Sequence, residues 1–237
     1  MHTPVPDAAA QAHSTVPKLP PGRHGLSRTA VADNQRERAL AAVADTVERA
    51  GYLGLTVEAI IGHAGLSRRT FYEHFHNRED AFLAAYDAAT AELTDRIRTA
   101  YESEHGFADR LHAGLAALLT FLAARPGLAR LCVVEPFAAG PAALARHDTA
   151  MRVFAGMIEE NIRELLPDCH SPSLTAETIV GGIYQVIYAR ISRQETTRLP
   201  ELLPGLLCSL LRPYLGAEAE AQCRRMTGAL PPADGAR

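Results

Sequence analysis

Apolar residues recur three and four apart along almost the whole chain, from residue 33 to about residue 215, and alternating strand patterns with β-branched clusters are missing. A chain with this period can bury its apolar stripes only by packing helix against helix, so the fold class is all-α. Small polar residues and glycines mark where the helices stop and start. Leu40, Val43, Ala44, Val47 and Ala50 form one stripe, which Gly51 ends. Thr56 can cap a short helix carrying Ile60, Ile61 and Ala64; Gly65 breaks it and Ser67 caps the next, with Phe71 and Phe75 on one face. Asn77 can open a long helix, residues 78 to about 105, whose stripe is Phe82, Tyr86, Ala89, Leu93, Ile97 and Tyr101. Further helices are expected over residues 109–124, 128–134 and 142–166. Another, capped by Ser173 or Thr175, should run to about residue 193, and a last should span residues 200–215, bent or ended by Pro204 and Pro213.

At 237 residues and 25.6 kDa the chain has room for one or two domains. Residues 1–27 read as a disordered leader, rich in Pro, Ala, Ser, Thr and His, and residues 217–237 as a frayed tail. No apolar run approaches the length a membrane span needs and no secretory signal is read at the N-terminus, so a cytoplasmic protein is expected. Cys132, Cys169, Cys208 and Cys223 lie far apart without metal-ligand spacing and read as reduced thiols. The sequence carries no H-E-x-x-H, G-x-S-x-G or phosphate-loop signature, so no catalytic residue, metal site or cofactor is assigned.

The most informative stretch is T-V-E-A-I-I-G-H-A-G-L-S-R-R-T-F-Y-E-H-F, residues 56–75: helix, glycine turn, helix. Gly65 permits a left-handed turn, and Leu66, Phe71 and Phe75 should lock the second helix onto the first. The opposite face then presents Arg68, Arg69, Thr70, Tyr72 and His74 near a helix N-terminus. Backbone amides there suit phosphate, and arginine adds a bidentate reader of guanine edges. An ordinary helical hairpin with a solvated face is the plain alternative.

The run A-G-L-S-R-R-T-F-Y-E-H-F-H-N-R-E-D-A-F (residues 64–82), with G-Y-L-G-L-T-V-E-A-I-I before it (residues 51–61), resembles the DNA-binding domain of the TetR family of bacterial transcriptional regulators. The resemblance implies a three-helix DNA-binding domain over residues 28–77. A long helix would join it to a helical effector-binding and dimerisation domain over residues 78–216. It implies Thr70 and Arg69 at base edges, with Ser67 and Arg68 beside them at bases or backbone. Tyr72 and His74 would contact phosphates, and Thr56 and Arg78 would clamp the backbone at the starts of helices two and four. Arg69 departs from the small residue common at its position. Arg23 and Arg28 could form an arm into the minor groove. The family further implies a homodimer on a roughly palindromic DNA operator, most often repressing, and answering to a small-molecule effector.

In the second half, Phe121, His147, Phe154 and Tyr184 are expected to line an effector pocket; core packing is the alternative for the aromatics, and an exposed helix end for His147 and Arg146. Helix 179–191 is apolar nearly all round, as is the leucine-rich terminal helix, which suggests burial on two sides and dimerisation through these two, with Gly181 and Gly182 allowing a close crossing. The rival is a helical enzyme or small-molecule binder in which the helix-turn-helix is incidental. The net charge of −3 excludes a uniformly basic nucleic-acid binder. It is an average, however. Residues 18–78 hold nine basic and six acidic side chains, whereas residues 79–237 hold fifteen and twenty, which places the positive part on the reading segment.

Overall fold

The computed structural model of the protein describes residues 16–17, 27–165 and 168–212. The expected tail, and the expected leader apart from residues 16, 17 and 27, lie outside the described residues, as do Arg23, Pro213 and Cys223. The described chain is helical without strands, in the order α1 (Arg28–Ala50), α2 (Val57–Ala64), α3 (Arg68–His74), α4 (Arg78–Glu102), α5 (Phe107–Ala124), α6 (Pro126–Val133), α7 (Pro136–Ala139), α8 (Pro141–Leu165) and α9 (Pro172–Ser192). A 3-10 helix (Thr196–Leu202) follows and leads into α10, residues 203–212.

Two kinds of helix start divide the chain. Ser27, Thr56, Ser67 and Asn77 each accept a backbone N–H three residues on, at 2.9–3.1 Å, and so open α1 to α4. The helices α6, α7, α8 and α9 instead begin on Pro126, Pro136, Pro141 and Pro172, whose missing N–H would have no helical partner there anyway. The hydroxyl cap expected from Ser173 or Thr175 is therefore not made; Ser171 flanks the helix without a side-chain bond. Pro204 does not bend the last helix but sits in its first turn. The first helix begins at Arg28, earlier than the apolar period, because Ser27 caps a polar first turn. Arg28 is thus exposed on a helix rather than lying on an extended arm.

Below these ends lies one continuous apolar core, from Ala39, Val43 and Val47 of α1 through Phe82 and Leu93 of α4 to Ile183 and Ile187 of α9. The joint between α1 and α6 is very close. A Cβ at Gly127 would stand 2.8 Å from the Ala44 carbonyl oxygen, so only glycine fits without a shift. Over its 18 residues α5 is long and apolar enough to pass as a membrane span, contrary to the sequence expectation. Its Phe107, Leu111, Leu115, Leu119 and Leu122 are buried in the core, and it packs against α4 and the 3-10 helix. Cys132 is a buried free thiol and Cys169 a half-buried one, whereas Cys208 is disulfide-bonded, which overturns the expectation that it is reduced.

Candidate nucleic-acid interface and the cavity behind it

The turn between α2 and α3 is built from three local devices. Gly65 takes φ 59°, ψ 39°, the left-handed conformation that closes α2. Ser67 caps α3, and its hydroxyl also meets that of Thr70 at 2.8 Å. From outside, Arg38 of α1 donates to the Ala64 and Gly65 carbonyls and ties the turn to the first helix. Sequence reasoning missed Arg38, which no local pattern marks.

With Phe71 and Phe75 buried, α3 turns its other face outward. The Arg69 side chain is 89% exposed and pairs with Glu73 at 3.0 Å, while Arg68 pairs with Glu58 of α2. Tyr72 is 49% exposed, its ring edge-on to Phe71. Ser67 and Thr56 are exposed, and Thr70 and His74 half-buried. The structure therefore brings Thr56, Ser67, Arg68, Arg69, Thr70, Tyr72 and His74 to one end of the molecule. Arg78 is turned inward: its Nη1 donates to the Leu55 carbonyl at 2.8 Å and its guanidinium lies 5.2 Å from the Tyr52 ring centre. It ties the α1–α2 loop to α4.

Behind this end of the molecule, α4, α5, α6, α8 and α9 line a cavity of about 110 Å³. Phe154 and Tyr184 line it, as do Tyr86, Thr90, Tyr101 and Cys132. Two other expected lining residues do not. Phe121 is buried elsewhere on α5, with the guanidinium groups of Arg125 and Arg96 at 4.8 and 5.6 Å from its ring centre. His147 stands one layer out, buried between Phe137 and Tyr184 with ring centres at 5.6 and 4.9 Å. It is not at an exposed helix end, and Arg146 beside it bonds Asp87 of α4 at 2.9 Å. Nδ1 of His147 is buried without a hydrogen-bond partner, and burial lowers the imidazole pKa, with Asp148 pulling the other way. Burial pushes the Cys132 thiol and the Tyr101 phenol each up to about 12, so both are neutral and act as wall.

One chain of contacts runs from this cavity to the α1–α2 loop. The Tyr184 hydroxyl donates to the Val133 carbonyl at 2.7 Å, at the end of α6. Two residues on, the buried Glu135 carboxylate accepts from Arg130 Nε at 2.7 Å and from the Tyr52 backbone N–H at 2.8 Å. Tyr52 in turn carries the Arg78 guanidinium on its ring and packs edge-on against Phe82. A lone acid inside the apolar run C-V-V-E-P-F was the sequence signal for Glu135.

Comparison with known proteins finds a family match over the α1–α4 segment. Residues 39–85, the α1–α4 segment just described, match the family described as bacterial regulatory proteins, tetR family. Over those residues the chain is similar to the TetR family. A curated relative, the nucleoid occlusion factor SlmA of Idiomarina loihiensis, is 28% identical over 136 residues, 56% of this chain. The match spans 66% of that relative's length, just under two thirds. Among solved structures, the fatty acid degradation regulator FadR of Bacillus halodurans aligns with TM-score 0.66 at 18% identity, over 74% of this chain and 97% of its own. The Bacillus subtilis FadR solved in complex with stearoyl-CoA gives TM-score 0.65 at 18% identity, over 73% and 96%. SmeT, the repressor of the Stenotrophomonas maltophilia multidrug efflux pump SmeDEF, gives 0.63 at 17%, over 85% and 96%. At such identities these structures show a shared fold alone: an N-terminal helix-turn-helix and a helical C-terminal part.

Proposed function

We propose that the chain is a TetR-family regulator: a cytoplasmic, ligand-responsive repressor that binds a roughly palindromic operator as a homodimer. The reading head is residues 28–77, and residues 78–216 bind the effector and form the dimer. The observation that carries the reading is the contrast across α3: Phe71 is fully buried while Arg69 beside it is 89% exposed, so the helix is rigidly backed and presents donors outward. Arg69 reaches a base edge, exchanging Glu73 for it; Tyr72, His74 and Thr56 hold phosphates. Arg28, at the exposed start of α1, adds a backbone contact.

Dimerisation is supported by α9. Its Ile179, Ile183, Ile187 and Ile191 face the core, while Gly181, Gly182 and Gln185 leave a small, exposed opposite face. Ligand response is supported by the cavity, and by the stearoyl-CoA bound in the Bacillus subtilis structure. A ligand acts only through unequal affinity for two arrangements of the head. Here it works on Tyr86 of α4 and Val133 of α6, both tied through Arg78 and Glu135 to the α1–α2 loop.

Selection of bound DNA from a random pool by the purified full chain tests this. The expected product is an inverted repeat whose affinity falls steeply with added salt. Recovery of no sequence above background would overturn the reading.

A further inference from the structure

We infer that the cavity takes a small, uncharged, apolar molecule about the bulk of one aromatic ring, carrying a single hydrogen-bonding group that meets the Tyr86 hydroxyl. This rests on reading the cavity as the effector site, and it commits that site to one ligand chemistry.

The first ground is charge. Among the described residues no Asp, Glu, Lys, Arg or His lines the cavity, so nothing in that wall would compensate a carboxylate, phosphate or ammonium drawn out of water. The groove between α8 and α9, which shares Met151, Val180 and Tyr184 with the cavity, carries Glu177 and Arg152, and a Glu159 that Arg163 already pairs. An anion meets no net positive charge even there.

The second ground is the set of polar groups left to a ligand. Thr90 donates its hydroxyl to the Tyr86 carbonyl at 2.7 Å, Tyr184 to Val133 at 2.7 Å and Tyr101 to Met157 at 3.4 Å. Each of these donors is already engaged with backbone. The Tyr86 hydroxyl has no hydrogen-bond partner among the described residues, although its side chain is buried against the cavity. A phenol without a partner in an apolar wall is one unmade hydrogen bond, and a ligand that makes it gains selectively over one that does not.

The third ground is size. About 110 Å³ is close to the roughly 150 Å³ apolar cavity known to hold benzene, and far below what a long acyl chain fills. Tyr86 also stands on α4 two turns beyond Arg78, so the bond forms on the helix that leads to the reading head.

The test is calorimetric titration of the purified full chain, without DNA, using p-cresol, toluene, p-toluate and stearoyl-CoA. p-Cresol should bind about tenfold more tightly than toluene, and Tyr86→Phe should erase that difference while toluene affinity stays unchanged. Leu118→Phe, which fills the cavity from α5, should abolish binding of both neutral probes. Tighter binding of p-toluate or stearoyl-CoA than of p-cresol would overturn the inference. So would an undiminished p-cresol preference in Tyr86→Phe, or no binding of either neutral probe. Because no DNA is present, a chain that binds p-cresol as expected but selects no operator would refute the regulatory reading and leave this one standing.

Discussion

The Glu135 carboxylate accepts the backbone N–H of Tyr52 at 2.8 Å, joining the α1–α2 loop to the end of α6 across 83 residues of sequence. Glu135 is 5% exposed, and its other oxygen is held by Arg130. Removing the carboxylate leaves a buried donor without a partner. Glu135→Ala should therefore cost about 1–3 kcal/mol in urea denaturation. Glu135→Gln, which keeps an acceptor oxygen, should cost less. An unchanged midpoint in Glu135→Ala would show that water replaces the bond and that the joint is not held there.

The same joint is closed sterically by Gly127. A Cβ there meets the Ala44 carbonyl oxygen at 2.8 Å and Glu48 at 3.2 Å, and backbone cannot yield as a flexible side-chain end would. Gly127→Ala should separate α1 from α6 and cost about 1–3 kcal/mol, despite alanine's better helix propensity. Denaturant unfolding of the variant reads this directly; a stabilised variant would contradict the packing.

The reading face makes a separable claim. Arg69→Ala and Tyr72→Phe should each leave the circular dichroism and the unfolding midpoint near wild type, since neither side chain is in the core. Loss of a base-edge contact at Arg69 should weaken operator binding by about 1–3 kcal/mol and relax preference at one position. Tyr72→Phe should weaken all sequences alike. Gel-shift titrations on matched and mutated operators distinguish the two patterns, and unchanged affinity in both variants would remove α3 from the interface.

How much of this was legible in the sequence follows from the reach of each interaction. The caps at Thr56, Ser67 and Asn77 bond three residues away, so local residue type was enough to place them. The helix-turn-helix and the all-α class rest on the same short-range period. Helical stripes also put Phe154 and Tyr184 on inward faces, where the cavity is. A stripe does not say what covers it, however. Phe121 is inward-facing too, but Arg96 and Arg125 cover its ring away from the cavity. The bonds from Arg38 to Ala64 and from Glu135 to Tyr52 depend on a tertiary approach that no local pattern encodes. Arg78 was expected to face DNA; a cation near a helix start carries no mark of the Leu55 carbonyl awaiting it.

His147 gives a pH dependence with a definite sign. Burial lowers its pKa from the ordinary 6.5, so the folded chain binds this proton less readily than the unfolded chain does. Its contribution to stability is complete above about 6.5, the unfolded value, and is lost as pH falls from there toward the folded value. Unfolding midpoints should therefore drop between pH 7.5 and pH 5 for wild type and drop less for His147→Phe. Parallel pH profiles would place the sensitivity elsewhere.

The exposed face of α9 offers a test of assembly that does not disturb the single chain. At both Gly181 and Gly182 a Cβ would find open space within 4 Å, and neither contributes to the core, so a larger residue should be accommodated in a lone subunit. If two copies cross on this face, however, the same side chain lies between them. Gly181→Arg should then keep wild-type helicity and thermal unfolding while shifting sedimentation from dimer to monomer. Operator affinity should fall with it, because one subunit holds only one half-site. A Gly181→Arg protein that still sediments as wild type would move the dimer contact off this face of α9, leaving the half-buried leucines of α10 to carry it.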